Sequence, residues 1–214
     1  MTEEEYRNLI EPYKDALSVM QGRFTALGKT LYGPGNEPIH DVVARVKSRE
    51  SIERKLMKRG MEPSAENARD HLQDIAGIRV ITYFTDDIKA LSDNLRSQTD
   101  LVYVRESDYV LHPKPNGYRS FHIVLGVPLY YMDAMEYFPV EIQLRTLTMD
   151  LWAAMEHRIL YKKNIENADK VAIVLKDYAN RLAEIEDGFE SFACRNSREE
   201  NRLEDNKSDG NGHI

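Results

Sequence analysis

Asp74-Ile75-Ala76-Gly77-Ile78-Arg79-Val80-Ile81-Thr82-Tyr83-Phe84 is dense in β-branched and aromatic residues, the composition of a buried central strand. Upstream, 64–72 reads as a short helix. Downstream, Thr85 can cap a helix over 86–97 that buries Ile88, Leu91 and Leu95. Further strands are predicted near 42–47, 101–106, 120–127 and 138–144. The first is followed by a helix to about Arg59, capped by Ser48 or Ser51 and stopped by Gly60. Both ends are helical. Tyr6, Leu9, Ile10, Tyr13, Leu17, Met20, Phe24 and Leu27 recur three and four apart over 3–27, and further helices span 148–161 and 167–192. On the last of these, Val171, Val174, Leu175, Tyr178, Leu182, Ile185, Phe189 and Phe192 are assigned to one stripe. The expected class is α+β, a mixed β-sheet of about five strands flanked by helices, with long N- and C-terminal helices. Residues 1–194 make a single domain, with a catalytic core over 40–163, and 195–214 are expected to be disordered because they have almost nothing to bury. The terminal stripes exceed what a small core needs, so the helices pack on each other or on another subunit.

The 214 residues are 42% hydrophobic, without an apolar run long enough for a membrane span. The acidic start, Met1-Thr2-Glu3-Glu4-Glu5, lacks an export signal, and the lone Cys194 excludes a disulfide framework or cysteine metal cluster; a cytoplasmic protein is expected. A net charge of −7 disfavours broad nucleic-acid binding. Between Val43 and Arg59, however, seven basic residues stand against Glu50 and Glu53, a local excess of +5. A positive patch on an acidic chain points to a discrete anionic ligand, although a solvated helix face reads the same way in isolation. Ser51, Lys55 and Lys58 or Arg59 share one face of the helix.

Alternation in Val140-Glu141-Ile142-Gln143-Leu144-Arg145 puts Glu141, Gln143 and Arg145 on the face opposite the apolar residues. His122 lies on the polar side of its own strand, so this sheet face either lines a site or meets solvent. Asp74, before the central strand, and Glu141, within another, could converge on one cation, and two carboxylates plus substrate phosphates are how Mg²⁺ is commonly held. The loop from His112 to His122 has two prolines, an Asn116-Gly117 turn, a lysine, a tyrosine and a histidine, the groups needed to stack on a base and hold phosphate oxygens. Together these features point to transfer of a phosphate-containing group. No P-loop or Gly-x-Gly-x-x-Gly motif occurs, and His40-Asp41, lacking the further ligands of a metal phosphohydrolase, is read as a strand-entry pair.

Five segments in order resemble the synthetase domain of the RelA/SpoT superfamily, and within it the stand-alone small alarmone synthetases of the RelQ type. They are Arg45-Val46-Lys47-Ser48 with its basic helix, Asp74 to Arg79, Lys114 to His122, Val140 to Thr146, and Met149-Asp150-Leu151-Trp152 through Glu156-His157. The resemblance implies a nucleotidyltransferase-like fold and transfer of pyrophosphate from ATP to the 3′-hydroxyl of GTP or GDP. It implies Asp74 and Glu141 as Mg²⁺ ligands, with Glu141 also the general base. Arg45, Lys47, Ser51, Lys55, Lys58, Arg59 and Arg79 would bind ATP, Arg79 by stacking on adenine. Arg105, Lys114, Tyr118, His122, Gln143 and Asp150 would bind GTP. Asp150 stands where some relatives have Asn and can still accept hydrogen bonds from guanine. The same resemblance implies a homotetramer joined by terminal helices. Two other readings remain: a relative acting on tRNA 3′ ends or adenine nucleotides, and a catalytically dead RNA-binding module.

Overall fold

The computed structural model describes residues 1–31, 37–131, 134–160 and 168–209, with the side chains of 131, 168–169 and 194–209 outside the description. The central strand is β2 (Ala76–Thr82), and its neighbours are β1 (Ile39–Val46), β3 (Val102–Asp108), β4 (Phe121–Tyr131) and β5 (Ala134–Thr146). They form one five-stranded sheet in the order β1-β2-β5-β4-β3. β2 and β5 pair in parallel, and the other three pairings are antiparallel. The helices are α1 (Glu3–Leu31), α2 (Arg49–Lys58), α3 (Ala65–His71), α4 (Thr85–Ser97), α5 (Leu147–Leu160) and α6 (Ala168–Asp209). This is the mixed α+β architecture expected. None of the described helices is long and apolar enough to cross a membrane.

The apolar residues of α1 turn onto one face of the sheet. Leu9, Tyr13, Leu17, Met20 and Phe24 are buried with Ile78, Val80, Ile142 and Leu144, each such side chain contributing about 1.5–3 kcal/mol of transfer free energy. Tyr13 meets Phe138 edge-on, and burial pushes its hydroxyl pKa up to about 12. The α1 stripe is therefore spent on its own core.

Three local expectations change. The residue capping α4 is Phe84, whose N–H donates to Asp87 Oδ2 at 3.0 Å; Thr85 instead donates its hydroxyl to Glu190 on α6. Ser48 occupies the N-cap of α2 by backbone conformation, but its hydroxyl donates to Ser51 Oγ rather than capping. The single stripe assigned to α6 divides between two faces. Leu175 and Ala179 are buried beside Trp152, whereas Val174, Tyr178, Ile185, Phe189 and Phe192 are exposed. The backbone of α6 is helical as far as Asp209. Residues 210–214 lie outside the description.

The inner face of α6 carries Glu186, only 6% exposed. Its Oε2 accepts from the Thr148 hydroxyl at 2.7 Å, and its Oε1 is buried without a hydrogen-bond partner. Burial raises its pKa above the ordinary carboxylate value. The folded state thus favours the protonated form, and this contribution is fully present below the ordinary value and lost as pH rises through the folded one. Glu186→Gln is accordingly expected to melt higher than the parent at neutral pH and to match it near about pH 4, as thermal unfolding at the two pH values will test.

Candidate active site

Sheet register brings the polar residues together. One row across the sheet runs Arg45, Gly77, Glu141, Val124 and Arg105, and the next Val43, Arg79, Gln143, His122 and Ser107. Gly77 leaves a gap between Arg45 and Glu141. A Cβ there would meet only the Glu141 carbonyl oxygen, at 3.8 Å. Arg45, Lys47, Asp74, Gly77, Arg79, Glu141 and Gln143 line a single cleft over this gap.

Asp74 sits just ahead of β2, where Lys47, the residue after β1, and Lys55 from α2 both donate to its Oδ2 at 2.5 Å. Burial is the largest influence on this carboxyl and raises its pKa; the two ammonium groups together outweigh it and hold the pKa below the usual value. Its other oxygen, Oδ1, is buried with no hydrogen-bond partner. Glu141 Oε2 accepts from Gln143 Nε2 at 3.0 Å, while Oε1 lies 3.7 Å from His122 Nδ1 and 3.9 Å from an Arg105 nitrogen. His122 is the main cause of a lowered Glu141 pKa, opposed by burial and by the charge of Asp74. Both carboxylates are thus ionised at neutral pH.

These groups fit a divalent cation. Asp74 offers a buried oxygen that nothing else satisfies, and Glu141 faces the same cleft. Among the described residues no group of three or more His, Cys, Asp or Glu could hold a metal ion. Two carboxylates with the remaining positions left to water and phosphate suit Mg²⁺ better than an all-protein cage would.

The 109–120 loop closes the other side. Gly117 N–H donates to the Lys114 carbonyl at 2.8 Å, making a turn with Pro115 and Asn116 at its centre and Gly117 at φ +95°. Tyr118 follows, with its hydroxyl 2.8 Å from His122 Nε2. Lys114 Nζ lies over the Tyr109 and Tyr118 rings at 4.6 and 4.9 Å from their centroids. Asn116 Nδ2 donates to Glu156 of α5 at 3.3 Å, and Asp150 Oδ1 pairs with Arg145 at 3.0 Å and Arg79 at 3.3 Å.

Most residues expected at a site therefore meet around one cleft and its rim. Ser51 stands at the start of α2, accepting from Ser48. Arg105 reaches the rim from β3, where its Nε donates to Gln73. Lys58 and Arg59 are not brought to the cleft: Lys58 is exposed in the last turn of α2, and Arg59 donates to the His71 carbonyl at 2.6 Å. His40 contacts Tyr83 near the start of β1, consistent with a strand-entry role. Sequence reasoning passed over Tyr109 and Glu156 as participants and put Arg145 on the polar face without giving it a function. The available signal for Tyr109 was the hairpin itself, since its N–H pairs with the Ser120 carbonyl at 3.0 Å and so continues the β3–β4 ladder.

Residues 44–166 match the family described as a region found in RelA / SpoT proteins. The chain is 39% identical over 177 residues to GTP pyrophosphokinase YwaC of Bacillus subtilis, covering 82% of this chain and 84% of the relative. It is 33% identical over 189 residues to GTP pyrophosphokinase YjbM of the same organism, with coverage of 86% and 88%. Its fold is similar to that of the B. subtilis small alarmone synthetase 1 bound to its product pppGpp, with a TM-score of 0.81 at 28% identity over 90% of this chain and 98% of that one. The extent of these matches and the shared fold agree with the resemblance read from the five motifs, and the chain belongs to the RelA/SpoT family.

Proposed function

We propose that this protein is a GTP pyrophosphokinase that transfers pyrophosphate from ATP to the ribose 3′-hydroxyl of GTP or GDP, forming the alarmone and releasing AMP. The observation that carries this reading is the placement of Asp74 and Glu141 in one cleft, between lysines on one side and an aromatic loop on the other. Such an arrangement can hold two nucleotides with their phosphates and hydroxyl in contact, and positioning of this kind supplies much of the barrier reduction in phosphoryl transfer.

In this reading Arg45, Lys47, Ser51 and Lys55 hold the ATP phosphates, Lys58 and Arg59 reinforce the positive field of α2, and Arg79 stacks on adenine. Lys47 and Lys55 exchange Asp74 for phosphate oxygens as ATP enters. Tyr118 stacks on guanine, Lys114 meets the acceptor phosphates, and Arg105, His122, Gln143 and Asp150 orient the nucleotide. Asp74 and Glu141 would hold Mg²⁺, which when bound neutralises phosphate charge and makes phosphorus a better electrophile. Glu141 takes the proton of the 3′-hydroxyl as the O3′–Pβ bond forms. The Pα–O–Pβ bridge breaks, and its electron pair leaves with AMP. A cytoplasmic setting belongs to the same proposal, as do assembly into a homotetramer and a single domain over 1–194. Assembly is supported by the exposed Leu151, Met155, Val174, Tyr178, Ile185 and Phe189 on α5 and α6; α1, already packed on the sheet, offers no comparable stripe.

The test uses ATP labelled in its β and γ phosphates, with magnesium and separately GTP, GDP, GMP, ATP or tRNA. Label should pass to GTP or GDP with an equal yield of AMP. Transfer to tRNA or an adenine nucleotide instead, or to no acceptor, overturns the reading. Sedimentation of the same preparation measures the assembly, and a monomer rejects the tetramer.

A further inference from the structure

Arg145 is 6% exposed in β5, and three side chains that the proposed function assigns to the acceptor converge on it. Its Nη1 donates to Asp150 at 3.0 Å, and its Nη2 donates to the Tyr118 hydroxyl at 2.8 Å and to Gln143 Oε1 at 3.0 Å. The guanidinium also lies over the Tyr118 ring, 5.2 Å from its centroid. A counter-ion for Asp150 alone would need only the first of these contacts.

The directions of the bonds follow from one fact: a guanidinium has donors and no acceptor. The Tyr118 oxygen therefore accepts from Arg145, and with that lone pair engaged the hydroxyl proton can point to His122 Nε2, 2.8 Å away. In that arrangement a neutral imidazole carries its proton on Nδ1, the nitrogen that lies 3.7 Å from Glu141 Oε1.

We propose that Arg145 is a positioning residue for the acceptor site. It holds the Tyr118 ring and, through Tyr118, selects the His122 tautomer that presents an N–H to Glu141. The Arg145 to Tyr118 to His122 to Glu141 series thus ties the surface expected to receive guanine to the group expected to take the hydroxyl proton.

The acceptor part of this inference rests on the proposed function, whereas the tautomer does not, so the two are measured separately. Nitrogen-15 spectra of the full chain without nucleotide, recorded where the His122 ring shifts no longer change with pH, should show His122 protonated on Nδ1. Arg145→Lys keeps the charge but cannot span three partners with a planar fork, and Tyr118→Phe keeps the Arg145–Asp150 pair while removing the hydroxyl. Both variants should lose the single tautomer. In turnover, Arg145→Lys should raise KM for the guanine nucleotide about tenfold, as expected for one or two lost hydrogen bonds, and change KM for ATP less than about twofold. Adding Tyr118→Phe to Arg145→Lys should produce little further loss. An unchanged His122 tautomer in both variants, equal rises in the two KM values, or additive losses would each overturn the proposal. If the parent transfers no pyrophosphate, the proposed function fails while the spectra still decide the relay.

Discussion

Glu141→Gln is expected to lower pyrophosphate transfer by at least about 10³-fold, a loss within the range for removing a general base and larger than that of any one binding contact. The amide keeps the shape and can still meet Gln143, but it cannot take a proton and is a poorer partner for a cation. Its effect on stability has a defined sign. The folded pKa of Glu141 is lowered, chiefly by His122 and against burial, so its ionised form contributes stability above the ordinary value of 4.5 that is lost as pH falls through the folded value. The variant should therefore melt slightly below the parent at neutral pH and converge with it in acid. AMP release under single-turnover conditions, with thermal unfolding alongside, makes the measurement. Turnover within about tenfold of the parent would remove Glu141 from the chemistry.

Gly117→Ala should have the largest effect on stability, about 2–5 kcal/mol, together with a raised KM for the guanine nucleotide. At φ +95° an L-residue is strained by about 1–2 kcal/mol. The added Cβ would also stand 2.8 Å from Ala179 Cβ and 3.0 Å from Lys176 Cα, overpacking of a kind that costs about 1–3 kcal/mol. Since Ala179 and Lys176 belong to α6, relief requires moving either that helix or the loop that carries Lys114 and Tyr118. Gly60→Ala separates the two causes: its φ is +73° but nothing lies within 4 Å of the new Cβ. Denaturant unfolding of both variants tests the contact. Equal losses would show that backbone conformation alone accounts for Gly117.

Element identity was legible wherever one local period governed it. β2 and β5 read clearly because apolar and polar residues alternate in Val140 to Arg145 and β-branched residues crowd 75–82. The α6 stripe did not, because a long apolar helix can bury either side and only its neighbours choose. Trp152 decided the matter by donating its indole N–H to the Leu175 carbonyl at 2.7 Å, which turns Leu175 and Ala179 inward. The cap of α4 misled for a related reason. Thr85 is a good capping residue in isolation, but its hydroxyl found a carboxylate on a helix more than a hundred positions later.

Residue chemistry and short-range period, which need no partner from elsewhere in the chain, determined from sequence the mixed sheet, its polar face, the turn at Asn116-Gly117 and the family likeness of the five motifs. Tertiary structure decided which groups meet. Only the parallel pairing of β2 with β5 carries Glu141 to the row of Gly77 and opens the cleft that it shares with Asp74. Only the packed loop shows Arg145 buried under Tyr118 and committed to three partners. Strand order and hydrogen-bond direction arise from long-range contacts whose closure entropy and geometry no local window contains.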